Sequence, residues 1–376
     1  MVMNMKGHNG LHPCRMCSIK GLRIPGRDRV TTHYVPLDRT RHPSTRADPT
    51  ATKSYDPAHL PSRSHAQILQ QGRAVQLAPS QAAADRLSKS TGVKGVSILY
   101  QLPSIQFPTS FPYDFMHLIF ENVIKNLIKL WTGDYKDIPE GTGDYQFERT
   151  AWDAIGAATG ASGDTIPGVF GARPPDIAQD NTSSTADTWS FWILHIGPAL
   201  LSSRFKRPVY YSHFISFVRL VNSCMKFKIS RQELDLVRQG FRDWVVTFEK
   251  CVFLLFRSFL SYRNKHRRRA PEILVPKSFF GQLMNIYVVE VLASPQLHLT
   301  EPETVILARI HSCTPCNTNS LGQLYYKDMG RYEVVDIHTV QCLVGRVPRR
   351  WPNPDLYAIL DRSSDLNHSL YIPDTN

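Results

Sequence analysis

The chain has 376 residues, 42% of them hydrophobic and 20% charged, and its 44 Lys and Arg against 32 Asp and Glu leave a net charge of +12. That apolar content suffices for one large or two medium cores and excludes a wholly disordered chain. The cationic excess points to a polyanionic partner, nucleic acid or an anionic membrane surface.

Residues 1–37 carry two short signatures, Gly7-His8-Asn9-Gly10 and Pro13-Cys14-Arg15-Met16-Cys17, then a short extended stretch Thr32–Leu37. Residues 38–63 are rich in Arg, Thr, Ser, Pro and Asp without periodicity and read as a flexible loop. Residues 64–250 read as helical. Helices are predicted over Ser64–Ala74 and Ser80–Ser90, the second stopping at Thr91-Gly92. From Asp114, Met116, Phe120, Val123, Leu127 and Leu130 form an apolar stripe, with His117, Glu121, Lys125 and Lys129 on the polar side. Pro112 precedes that helix and Gly133 ends it.

Gly156–Pro175 reads as a Gly- and Pro-rich connector. An apolar helix is predicted over Thr185–Leu201, kinked or ended by Pro198, and another from Pro208 to about Lys226. Ser230-Arg231-Gln232-Glu233 is a capping box for the next, with Leu234, Val237, Phe241, Trp244 and Phe248 on its buried face. Residues 251–330 show no clear element. Residues 331–376 read as a small C-terminal β segment, with alternation over Tyr332–Val347 and a partner strand at Leu356–Leu360. No internal repeat is visible. The fold class expected is α+β, predominantly helical in the middle.

Seven cysteines is an odd number, and the only tight spacings are Cys14/Cys17 and Cys313/Cys316, so metal binding or free thiols are expected over a disulfide framework. Two soft thiolates with an imidazole from His8 or His12 would select zinc; two reduced thiols in a loop is the other reading. Asp114-x-x-His117 supplies a second half-site, or else Asp114 is simply a helix cap with His117 on the polar face. The metal set expected is therefore Cys14, Cys17, Asp114 and His117. Cys313 and Cys316 read as coincidental.

Met1–Lys20 lacks the apolar core of a secretory signal, and Phe191–Leu201 and Cys251–Phe256 are too short or interrupted to span a bilayer. An intracellular, nuclear location is expected, with no membrane partner and no small-molecule substrate. The basic run containing Arg263, Lys265, Arg267, Arg268 and Arg269 suits nuclear import or DNA phosphates, or is a solvated loop.

The 7–17 stretch, together with Phe107-Pro108-Thr109-Ser110-Phe111-Pro112-Tyr113-Asp114-Phe115-Met116-His117, resembles the CACTA (En/Spm) type DDE transposases, especially those of mushroom-forming fungi. Ser162–Pro167, Gly171–Pro175 and Thr185–Trp192 extend the likeness, which covers roughly residues 5–250. Val340–Val347 and Ala358–Ser363 resemble the family's C-terminal segment. The resemblance implies a ribonuclease-H-like core, of which the helical region is an insertion, with three carboxylates holding two Mg or Mn ions for phosphoryl transfer on DNA. Both aspartates would precede the knuckle, before Met1, and the glutamate would follow Lys250, where Glu272 and Glu290 lack the family's surroundings. The core is thus expected to be incomplete, and no catalytic residue carries over. The expectation is a transposase-derived remnant with residual DNA and metal binding and no enzymatic activity. A domesticated zinc-dependent DNA-binding module, a fragment of an active transposase and a nuclease completed in trans by a partner chain remain alternatives.

Overall fold

The computed structural model describes residues 2–8, 10–23, 32–40, 42–48, 50–135, 143–179, 184–250, 279–293, 301–349 and 355–362. In chain order the helices are α1 (Pro43–Ala47), α2 (His65–Gln76), α3 (Gln81–Thr91) and a π-helical stretch, Met116–Val123, that runs into α4 (Ile124–Thr132). Then come α5 (Arg149–Ser162) and α6 (Ala186–Phe191), which passes through a π turn at Trp192–Ile196 into α7 (Gly197–Leu200), then α8 (Pro208–Cys224) and α9 (Arg231–Phe248). The strands β1 (Gly281–Val291), β2 (Glu303–Thr318), β3 (Leu324–Asp336), β4 (Gly345–Arg349) and β5 (Leu356–Leu360) form one antiparallel sheet in the order β1-β2-β3-β5-β4. The fold is α+β. The chain forms two compact units, Met1–Tyr145 with Leu220–Phe256, and Gln146–Arg219 with Arg257–Asn376. No helix among the described residues is long and apolar enough to cross a membrane.

In the first unit the helix ends lie where local chemistry puts them. Ser64 and Gln67 form a reciprocal capping box at α2, Ser80 caps α3, and Ser230 with Glu233 repeats the box at α9. Gly92 (φ 82°) and Gly133 (φ 77°) stop α3 and α4 in the left-handed conformation that a side chain resists. The core gathers Met3, Met5, Ile68 and Phe107, with Leu69, Leu99, Ile105 and Phe111 packed against it. Phe107 stacks between His65 and Phe111, with ring centroids 5.6 and 5.4 Å away. The N-terminal segment is held to the turn after α3, Lys6 N donating to Gly92 O and Lys94 N to Asn4 O, both at 2.8 Å.

Two expectations change here. The stripe from Met116 is displaced at its start: Phe120, Leu127 and Leu130 are buried, joined by Ile119, Ile124, Ile128 and Trp131, while Met116 is 45% exposed. The wide π turns rotate the opening residues out of the 3.6-residue register that the stripe assumed. Residues 38–63, expected as a flexible loop, hold α1 and a laced backbone, with Arg39 N on Lys53 O at 2.8 Å and Tyr55 N on Leu37 O at 3.1 Å. Arg39, only 2% exposed, donates to the carbonyls of Pro36, Lys20 and Tyr34. Its rigid fork of donors satisfies carbonyls that no helix or strand takes up, so a polar composition that looked solvated encloses a buried cation.

In the second unit, a helix replaces the first half of the expected 156–175 connector. Gly156 faces the 176–178 backbone in α5, where a methyl would run into the Asp176 carboxylate and Ala178. The glycine there serves close packing. Trp152, Trp189 and Trp192 form the centre, Trp192 edge-on to both at 6.4 and 6.1 Å, with its indole N–H on Thr159 Oγ1 at 3.1 Å. Thr185 caps α6 as the first turn of the predicted Thr185–Leu201 helix, and Pro198 lies directly after the π turn Trp192–Ile196, the break in the regular ladder that accommodates a residue without an N–H.

The expected irregular block 251–330 contains β1, β2 and the start of β3, so the boundary placed at 331 cuts a strand. The signal was missed because β1, Gln282-Leu283-Met284-Asn285-Ile286-Tyr287-Val288-Val289, is apolar on both faces and shows no alternation. Its β-branched and aromatic content carries the strand instead. Leu356–Leu360 is a strand as read, pairing Ala358 with Val347 of β4 and with Tyr325 of β3. That side of the sheet is buried, at Tyr325, Val347, Ala358, Ile359 and Leu360, and α5 packs on β4.

Candidate functional site

The knuckle is built by backbone turns before any side chain acts. Gly10 N bonds Gly7 O at 2.9 Å, the Tyr34 hydroxyl donates to His8 O and Gly10 O at 2.6 and 2.7 Å, and His12 Nδ1–H donates to Ser18 O at 3.2 Å. Residues 60–63 run alongside, Ser18 N on Pro61 O at 2.8 Å and Arg63 N on Met16 O at 2.9 Å. Arg63, 7% exposed, then clasps the turn from within. Its Nε donates to Cys14 O and Cys17 O at 3.0 and 3.1 Å, and its Nη2 reaches Thr91 O at 2.8 Å at the end of α3.

Held this way, the two sulfurs lie 3.3 Å apart, and Cys17 N donates to Cys14 Sγ at 3.2 Å. The Tyr113 hydroxyl is 3.0 Å from the same sulfur. The Cys17 thiol, then the Tyr113 hydroxyl and the N–H groups of Cys17 and Met16, hold the Cys14 thiol well below its ordinary pKa, against the opposing effect of burial. The same hydrogen bond, with burial, pushes Cys17 up. Burial, then Cys14, raises Tyr113. The one hydrogen bond thus acts oppositely on the two sulfurs, easing ionisation of Cys14, its acceptor, and opposing that of Cys17, its donor. The accepting sulfur and the donating thiol are both free and half-buried.

The other wall is the 107–117 motif. Arg15 donates to Pro112 O at 2.6 Å and lies over the Tyr113 ring, 4.4 Å from its centroid. One residue on, Asp114 Oδ1 accepts from His117 N at 3.1 Å, and Asp114 Oδ2 meets His117 Nδ1 at 3.1 Å. The His117 N–H, then the His117 ring, lower the Asp114 pKa. Both side chains are 58% exposed, with His117 Nε2 3.8 Å from Glu121. Asp114 acts here as the cap of the helical stretch.

A closed zinc site takes four ligands in a tetrahedron. The structure parts the expected set into two pairs, Cys14 with Cys17 and Asp114 with His117, each hydrogen-bonded within itself. Among the described residues no three His, Cys, Asp or Glu side chains stand where they could hold one ion. The four do not assemble as a tetrahedral site. Arg263, Lys265, Arg267, Arg268 and Arg269 lie outside the described residues. Cys313 and Cys316 lie on β2 with separate partners, Met329 Sδ at 4.0 Å and Tyr325 O at 3.5 Å. The residues that sequence reasoning missed are Arg63 and Tyr113. Nothing in the pattern marks Arg63, an arginine at the edge of a polar stretch. Tyr113 stood inside the 107–117 motif but only as flanking sequence to Asp114.

Compared with protein-family models, curated proteins and solved structures, the chain matches none. The site's own geometry carries the reading that follows.

Proposed function

We propose that this chain is a nuclear, transposase-derived protein of CACTA type that binds DNA without cutting it, its helical region being the insertion of a ribonuclease-H-like core. One observation carries the reading. The two stretches that bear the resemblance, about a hundred residues apart, lie against each other, through Cys14 and Tyr113 and through Arg15 and Pro112. A working knuckle of that family has reason to keep both. The net charge of +12 favours a phosphate backbone as partner. Strand cleavage of the family's kind needs three carboxylates around two divalent ions, and none of the residues carried over by the resemblance is one of them.

The test is a binding and cleavage assay of the purified chain on element-end DNA with Mg2+ or Mn2+. Binding is expected to weaken by about tenfold or more between 50 and 200 mM salt, as counterion release requires, with no strand breaks. Salt-insensitive binding removes the DNA reading. Metal-dependent nicking removes the non-cleaving one.

A further inference from the structure

We propose that Cys14 and Cys17 are a thiol–disulfide switch whose closure frees Tyr113 from the knuckle, so that docking of residues 112–114 follows the redox state of the surroundings. The inference concerns the knuckle alone and stands whether or not the chain binds DNA.

Three features of the geometry point this way. The sulfurs are 3.3 Å apart, so bonding at about 2.05 Å asks for a shift of only about 1.3 Å. The turn between them is already fixed, because Arg63 holds the carbonyls of both cysteines, and closure falls to the side chains. Cys14 Sγ is the acceptor for Cys17 N–H and faces the Tyr113 hydroxyl, which marks it as the attacking sulfur and Cys17 as the resolving one. Both thiols are half-buried, within reach of a small oxidant.

The oxidant is a low-molecular-weight disulfide, RSSR. The Cys14 thiolate attacks one of its sulfurs, forming Cys14–S–S–R and expelling RS−. Cys17 gives its proton to that thiolate, producing RSH. The Cys17 sulfur then attacks the Cys14 sulfur and expels a second RS−, leaving the Cys14–Cys17 disulfide. Two electrons pass from the cysteines to RSSR, and every atom is accounted for. In the product the Cys14 sulfur carries neither a proton nor a charge, so it can neither donate to the Tyr113 hydroxyl 3.0 Å away nor accept well from it. Tyr113 loses its contact with the knuckle, while Arg15 still holds Pro112 O and Phe107 stays in the core.

The full chain would be equilibrated in mixtures of reduced and oxidised glutathione, acid-quenched, alkylated and mapped by mass spectrometry, with hydrogen exchange followed over residues 107–117. A Cys14–Cys17 cross-link with a single midpoint is expected, with faster exchange over 112–114 in the oxidised chain. Cys17→Ser should trap one glutathione on Cys14, while Cys14→Ser takes up about tenfold less at Cys17. If the variants do not fold, iodoacetamide on the wild type decides: Cys14 should react about tenfold faster than the exposed Cys224 at neutral pH. The proposal falls if no cross-link forms at any poise, if both variants trap glutathione equally, if Cys14 and Cys224 react alike, or if exchange over 112–114 is unchanged by oxidation. Near-stoichiometric zinc on the purified wild type, lost in Cys14→Ser, also overturns it, since the pair would then be a metal site.

Discussion

Arg63 gathers four carbonyls, those of His12, Cys14, Cys17 and Thr91, from chain segments with no secondary structure in common. Arg63→Met leaves these part-buried acceptors short of a donor, at about 1–3 kcal/mol for a fully buried one and less where water reaches, so a loss of about 3 kcal/mol in urea unfolding is expected. Arg63→Lys should recover only part, because one ammonium lacks the fork that reaches both ends. A Met variant within about 0.5 kcal/mol of wild type rules out the clasp. Glu249 poses a different problem. It lies 7% exposed just beyond α9, its Oε2 accepting from Leu37 N at 2.9 Å, and burial raises its pKa above 4.5. The folded chain therefore holds this proton more tightly than the unfolded one. Its stabilising effect is complete at acid pH and is lost as pH rises through the raised value. Glu249→Gln keeps the acceptor and removes the charge, so the variant should gain stability over wild type from pH 5 upward and match it in acid. A constant difference across a pH series of denaturant melts contradicts this.

At the level of elements, helix ends were readable and helix faces less so. Ser230, Gly92 and Gly133 act within a few residues of themselves, and the structure uses each as the sequence implied, while Ser64 and Ser80, read as first helical residues, stand one position earlier as caps. α5 was hidden because its glycines look like breakers until the 176–178 loop is in place against them. Those glycines can be told apart. At Gly156 an added methyl collides with Asp176 and Ala178, whereas at Gly160 the nearest atom is Asp176 N at 3.5 Å, ordinary contact. Gly156→Ala is expected to destabilise by about 1–3 kcal/mol through overpacking. Gly160→Ala should be neutral or gain up to about 1 kcal/mol from helix propensity. Equal effects in thermal melts would mean that α5 does not meet that loop. β1 illustrates the opposite blind spot, a strand whose two apolar faces erase the alternation that a reader looks for.

For the whole molecule, the class α+β was legible from composition and pattern, but its partition was not. The first unit takes in α9 from beyond residue 220, and the second recovers the chain at the sheet, a pairing of distant segments that no local window reveals. The site divides the same way. Cys14 and Cys17 declare themselves by spacing, yet what tunes them lies 99 residues away at Tyr113 and, for Arg63, in a stretch that resembled filler. Asp114 and His117 read either as half of a shared ion site or as a helix cap with a histidine beside it, and the hydrogen bond between them is that of the cap.

The clasp also separates form from reactivity. Burial draws the Arg63 pKa down, yet a guanidinium keeps its charge wherever proteins stay folded. Acidification that quenches the Cys14 nucleophile therefore leaves the shape around it intact, and neutralisation restores a reagent already aimed.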